Sequence, residues 1–296
     1  MAKLNRIYRL TIQTNLLSEA IVIQNPLTIK FKVSRSIYAG VNSMDIDIFN
    51  LSPKTRDLLF QDTYDPKAYK SIVLEAGYMG QGLSVIFIGN IFNAYSFRRN
   101  NDIITHIHAM DGGLDTQTTT INQTLQAGVS LQDTINTLTQ TFPNLKNGTQ
   151  NLPNYTFNRP VVLDGNTFQL IKKYSNNNVF IDLQEVNIMN TTDVIEGDVP
   201  LINDNSGLLG TPERRNTSLS INMIFEPRIV IGQIIEVESQ IASQFDGQYK
   251  VIGLEHEGII SDAVDGNCTT TLELFVGMQL FGRFNVITAK QQQVTS

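Results

Sequence analysis

Apolar and polar residues alternate along most of this chain with a period of two, the spacing of a half-buried β-strand. The densest such stretch runs from Ser71 to Gly113 and reads as three strands: Ser71–Tyr78, the long Leu83–Phe97, and Ile103–Asp111. Arg98, Arg99, Asn100, Asn101 and Asp102 form a polar cluster suited to closing the hairpin between the second and third. A ribbon of this length cannot bury both faces alone, so flanking segments must add strands. Candidates precede it at Ile7–Gln13, Ile21–Ile23, Leu27–Val33 and Met44–Phe49. In Leu27–Val33 the apolar Leu27, Ile29, Phe31 and Val33 share one face, with Thr28, Lys30 and Lys32 on the other. Between them and the ribbon, Ser52 as N-cap and Pro53 at the first helical position predict a short helix with Leu58 and Leu59 turned inward.

The pattern changes near Thr116. Thr116–Thr120 reads as a polar, turn-like bridge and a first boundary. Beyond it the apolar period lengthens: Leu131, Ile135, Leu138 and Phe142 follow the cap Ser130 at helical spacing, and Pro143 ends the run. After a loop rich in Asn, Gly and Pro reaching to Pro160, Thr167–Tyr174 predicts a second helix, and Val179–Leu183 with Glu185–Met189 a hairpin. Leu201–Asn216 reads as a second linker. Strands return at Ser218–Phe225, Ile234–Glu238, Gln248–Glu257 and Thr269–Val276, with turns at Phe245–Gly247 and Asp265–Asn267. The expected fold class is therefore mainly β with an α+β insert: two antiparallel β-barrel domains, residues 1–115 and 206–289, flank a small α/β domain, 116–205. A polar tail, 290–296, is expected to fray.

The 296 residues, 41% hydrophobic and 17% charged, suffice for a sizeable core. A net charge of −6 and a pI near 5.1 argue against specific nucleic-acid binding, which calls for a basic face. The lone Cys268 has no internal disulfide partner and the opening residues lack a signal peptide's apolar core, so the expected site of synthesis is a reducing cytoplasm. No apolar run reaches the length of a membrane span, and membrane insertion is not expected.

Candidate chemistry is sparse. His106 and His108 project from one strand face as an H-x-H pair, but Asp111 has the opposite parity, and Cys268 and His256 are remote in sequence. Glu255 and Glu257 share one face of their strand while His256 points to the other. Asp164, Asp182, Glu185 and Glu196 are the carboxylates an alternative reading, a polysaccharide or peptidoglycan hydrolase, would enlist, but no pair is set in an apolar context that would raise a pKa. Nucleophile elbows, phosphate-binding glycine loops and metal-protease helices are missing. No residue is assigned as catalytic, cofactor-binding or metal-ligating, and no cofactor is expected.

Several segments, in order, carry a resemblance. Gln24–Ser36, Asp45–Arg56, Leu74–Tyr78, Ile86–Ile91 and His108–Gly113 resemble the N-terminal part of baseplate hub proteins of contractile-tailed phages, the group that includes late control protein D. Leu208–Pro212, Phe225–Gln233 and Tyr249–Gly258 are similar to the same family's second barrel. The resemblance implies a virion protein acting as a homotrimer whose two tail-tube-like barrels per subunit form a pseudo-sixfold ring. That ring joins a hexameric tail tube, or its initiator, to a trimeric central spike, and leaves an axial channel for genome ejection. Tape measure and baseplate wedge proteins complete the implied partners. Threefold symmetry acting on two similar units does give six around an axis. The tip residues Arg98, Arg99, Asn100, Asn101 and Asp102 are expected assembly contacts. The alternatives are a tail-associated cell-wall hydrolase and a host-surface binding module at the tail tip.

Overall fold

A computed structural model describes residues 5–14, 19–38, 40–63, 70–264, 266–277 and 284–287. The expected tail and Asp265 lie outside the described residues.

In the first part, strands β1 (Arg6–Gln13), β2 (Ile21–Gln24), β3 (Ile29–Ser36) and β4 (Asn42–Phe49) precede helix α1 (Pro53–Leu59). The ribbon follows as β5 (Ser71–Tyr78), β6 (Gly82–Arg99) and β7 (Asp102–Asp111). Alternation decides which side chains enter the core: Ile29, Phe31 and Val33 of β3 and Met44, Ile46 and Ile48 of β4 are buried, and the residues between them face outward. The Ser52 hydroxyl accepts from the Thr55 N–H and starts α1 as expected. Only Leu59 of the leucine pair turns inward. Leu58 is exposed, because a helix of seven residues presents too narrow a face to bury adjacent positions.

Thr116–Thr120 is not the loose bridge expected. Gly112 in the left-handed region starts helix α2 (Gly113–Thr118), which buries Asp115 and Thr116, and the chain then enters β8 (Thr120–Leu125). The Asp115 carboxylate accepts from the backbone and side-chain nitrogens of Asn144, so polar side chains hold this corner. Helix α3 (Leu131–Thr139) is capped by Ser130. The loop expected to reach Pro160 contains a strand, β9 (Lys146–Gln150), before β10 (Val161–Asn166), helix α4 (Thr167–Tyr174), β11 (Val179–Asp182) and β12 (Glu185–Ile188). The insert contains an approximate repeat. β8 and β10 pair with each other, a positive-φ glycine lies after β8 (Gly128) and near the end of β10 (Gly165), and each strand leads through a capping side chain, Ser130 or Asn166, into a helix. Ile135, Leu138, Phe168 and Ile171 of the two helices pack together in one hydrophobic cluster with Val186 and Ile188.

The last part comprises β13 (Asp193–Ile195), β14 (Leu201–Ile202), β15 (Leu208–Arg214), β16 (Ser218–Ile224), β17 (Ile234–Val237), β18 (Gly247–Ile260), β19 (Cys268–Phe275) and β20 (Asn285–Ile287). The expected linker Leu201–Asn216 is in fact strand over much of its length. β14 pairs in parallel with β17, a tight turn in which the Asn203 carbonyl accepts from the N–H groups of Ser206, Gly207 and Leu208 leads into β15, and β15 forms a hairpin with β16.

The two β-rich ends are not separate sheets. β18 pairs with β17 and β19 in its own unit, and its second half, Gly253–Ile260, pairs with Ser36–Ile29 of β3. One thirteen-stranded sheet results, with β15-β16-β19-β18-β3-β4-β7-β6-β5-β1-β2 as its main order. Phe225, Ile260 and Cys268 from the C-terminal part also enter the hydrophobic cluster built by the N-terminal strands. The Tyr78 hydroxyl donates to the Phe225 carbonyl at 2.8 Å across the same boundary.

Candidate assembly surface

On the side away from the core, β18, β3, β4, β7 and β6 present one continuous face. Register brings opposite charges into rows across it. Glu257 of β18 stands opposite Lys32 of β3, Lys32 opposite Asp45 of β4, and Asp45 opposite His108 of β7. The next row runs Lys30, Asp47, His106 and Tyr95. Lys32 Nζ lies 2.8 Å from Glu255 and 3.9 Å from Glu257. The Nδ1 atoms of His106 and His108 lie 2.7 and 2.8 Å from the carboxylates of Asp47 and Asp45. The lysine–glutamate pairs are exposed and contribute little to stability singly, but the rows fix the pattern of charge any partner meets. Glu255, Glu257, Asp45 and Asp47 outnumber Lys30 and Lys32, so this face is net acidic.

Aromatic rings border the rows on β6. Tyr95 lies 5.3 Å from His106 and 6.0 Å from Phe97, and Phe92 meets His108 edge-on at 6.1 Å. All three rings are exposed. The β6–β7 hairpin then closes with Arg99 opposite Asp102 and only Asn100 and Asn101 between, Asn100 at φ +56°. All five tip residues are exposed. Asn50, itself left-handed at φ +59°, secures the tip's base: its side chain donates to Asp102 and accepts from the Ile103 N–H. Arg98 donates to the Asn100 carbonyl. The tip is thus held in one shape without an apolar anchor.

The histidines are placed as the alternation predicts. His106 and His108 share the outer face with Asp45 and Asp47, whereas Asp111 is buried on the opposite side. Among the described residues no group of three or more His, Cys, Asp or Glu side chains is arranged to hold a metal ion. His256 is fully buried between β3 and β19, away from Glu255 and Glu257. Its Nδ1 pairs with the Thr270 hydroxyl at 2.9 Å and its ring packs edge-on against Phe225, and burial lowers its pKa to about 3. Cys268 is buried, and its thiol is pushed up to about 11 by desolvation.

The four carboxylates of the hydrolase reading do not converge. Asp164 accepts from Asn122 on the insert's two-stranded sheet, Asp182 and Glu185 end the β11–β12 hairpin, and Glu196 borders a groove beside β14. Asp182 is paired with a buried cation. Its two oxygens accept from Arg35 Nε and Nη2 at 2.7 and 2.5 Å, and the Arg35 side chain is only 1% exposed. Asn42 donates to Asp182 and to the Ile181 carbonyl. Asp111, nearby, accepts from the Gln184 N–H, and desolvation together with the Asp182 charge raises its carboxyl to about 8. Arg35 and Asp111 share strand parity with core residues, Arg35 with Ile29, Phe31 and Val33, and Asp111 with Ile107 and Ala109. A charge on the apolar parity of a strand is the signal that points to such a cluster. The arrangement is a lock: β3, β4 and β7 grip the hairpin of the insert.

The geometry places exposed polar rows, an aromatic border and a rigid tip on a scaffold with no assembled acid–base or metal constellation among the described residues. Among those residues no helix is long and apolar enough to cross a membrane. Comparison with solved structures finds the same fold in phage tail proteins. A tail protein from Neisseria meningitidis aligns with TM-score 0.59 at 10% identity, over 91% of this chain and 97% of that one. The 43 kDa tail protein of prophage MuSo2 from Shewanella oneidensis aligns with TM-score 0.59 at 9% identity, over 90% and 98%. The E. coli c3393 protein, a type VI secretion component described as similar to the T4 tail proteins gp27 and gp5, aligns with TM-score 0.58 at 11% identity, over 89% and 76%. No curated protein matches the sequence. A protein-family model described as baseplate hub gp41 matches residues 9–262, and this chain accordingly belongs to the baseplate hub gp41 family of phage tail proteins.

Proposed function

We propose that the protein is the non-catalytic hub of a contractile tail's baseplate: a homotrimer whose two β-rich units per subunit, residues 1–115 and 206–289, make a pseudo-sixfold ring. The ring joins a hexameric tube to a trimeric spike, and the net acidic face of β18-β3-β4-β7-β6 lines its channel. The observation that carries this reading is the pairing of β18 with β3, which places both units in one hydrogen-bonded sheet with one continuous outer face. Two units fixed in this way repeat as a set under a threefold axis. An acidic lining repels phosphate and lets a genome slide without sticking. The tip Arg98–Asp102 contacts a neighbouring subunit or ring. Assembly takes place in the host cytoplasm, and the insert, 116–205, stands outside the channel wall.

Electron microscopy of the purified protein, with class averages viewed down the particle axis, tests the proposal. Rings of threefold symmetry with six peripheral densities and an open centre are expected. Monomers at all concentrations, with tube and spike present, would defeat it.

A further inference from the structure

A groove of about 860 Å³ lies beside β14, bounded by the segment Ile195–Ile202, the turn Asp204–Gly207, the end of β16 and the loop Glu226–Gln233. Three features coincide there. The first is apolar surface: Ile195, Ile202, Met223 and Ile229 line the groove, and Val199, Leu201, Ile224 and Val230 along it remain 37–41% exposed, a concentration of large apolar side chains that a folded surface does not otherwise favour. The second is an open strand edge. Pro200 and Ile202 give their carbonyls to Glu236 and Glu238 of the β17 side, so the parallel ladder turns the Leu201 N–H and C=O the other way, where no described strand pairs with them. The third is charge. Among the described residues that line the groove, Glu196, Asp198, Asp204 and Glu226 stand against one cation, Arg228, and Glu226 already holds that guanidinium through contacts of 2.8 and 3.1 Å.

We infer that this groove docks an extended segment of another polypeptide, one alternating apolar and basic residues. Its backbone adds to the free edge at Leu201, its apolar side chains enter between Met223 and Ile229, and its cations meet Asp198 and Asp204. An acidic peptide would bring like charges to the rim, and a small neutral ligand would leave the strand edge unused. The inference rests on the groove alone and holds whether or not the subunits form a ring.

The test uses the full-length protein and a fluorescein-labelled, end-blocked peptide of alternating lysine and valine, followed by anisotropy. Saturable binding is expected, weakened about tenfold by the double reversal Asp198→Lys with Asp204→Lys. Methylation of alternate peptide nitrogens should abolish binding, and reversal of the exposed Asp57 and Asp133 elsewhere should leave it unchanged. Equal binding of an acidic valine peptide, indifference to backbone methylation, or equal loss from the remote reversals would overturn the inference. So would sedimentation showing that the groove reversal dissociates the protein itself, which would assign the groove to a second copy of the chain.

Discussion

Arg35 and Asp182, 147 residues apart, meet through two hydrogen bonds at the boundary between the large sheet and the insert. Burial works against the guanidinium's charge, and the carboxyl groups of Asp182 and Asp111 together more than offset it. Removing one partner strands the other, which generally costs about 3–5 kcal/mol, whereas replacing both with apolar groups is far milder. Arg35→Ala should therefore destabilise the protein in urea unfolding by more than the double variant Arg35→Leu with Asp182→Leu. Protease should also cut the insert of the single variant faster. Equal stability of Arg35→Ala and the wild type would show that the lock contributes nothing.

Asp111 beside this pair makes stability depend on pH. Its carboxyl is raised to about 8, so between an ordinary carboxylate pKa near 4 and about 8 the folded state holds a proton that the unfolded state has released. Its contribution therefore falls as pH rises through that window and is constant above it. Asp111→Asn, which keeps an acceptor for the Gln184 N–H, should flatten the slope and be more stable than the wild type at pH 8. Melting temperatures measured from pH 5 to 9 will decide this.

His256 acts in the opposite sense. Its depressed pKa keeps it neutral when folded, while the unfolded chain takes up a proton below about 6.5. Stability from this group is complete above that value and is lost as pH falls toward 3. His256→Gln, able to keep a partner in Thr270, should show weaker acid destabilisation between pH 6 and 4 in the same melting assay.

Gly258 stands opposite Cys268 where β18 pairs with β19. A Cβ there would lie 2.5 Å from the Cys268 Cα and 2.7 Å from the Asn267 carbonyl oxygen, both backbone atoms that cannot swing aside. Gly258→Ala is expected to cost about 1–3 kcal/mol, read as a lower urea midpoint. An unchanged midpoint would mean that the two strands separate easily.

The hairpin tip offers the converse case. Arg98→Glu with Arg99→Glu should leave the melting temperature nearly unchanged, because both side chains are exposed and no buried pair includes them. If the tip contacts a neighbour, the same variant should lose rings in micrographs. Normal rings would remove the tip from the contact.

How much of this was legible in the sequence depended on where each element's pairing energy comes from. β3 and α3 are written locally, through Ile29, Phe31 and Val33 on one parity and through Ser130 with Leu131, Ile135 and Leu138 at helical spacing. β9 and β15 are not. Lys146–Gln150 has no apolar alternation and becomes a strand because β12 offers it a parallel edge. Leu208–Arg214 is interrupted by a bulge between Leu209 and Glu213 that hides its period. The β11–β12 turn uses Leu183 and Gln184 at positive φ, residues that announce no such turn, and Asp111 accepting from the Gln184 N–H helps hold it. The candidate surface was partly readable, since strand parity put His106 with His108 and exposed the tip. Its charged rows needed the register between strands distant in sequence.

The pairing of β3 with β18 also sets a schedule. Ser34 and Glu255, bonded across it, are 221 residues apart in the chain. As the polypeptide leaves the ribosome, β4 can zip onto one edge of β3 at once, but the other edge waits until a segment 221 residues further along has emerged. A nascent chain therefore carries an unsatisfied strand edge until β18 emerges, and a product terminated before that point keeps the edge permanently, open to capture by its neighbours.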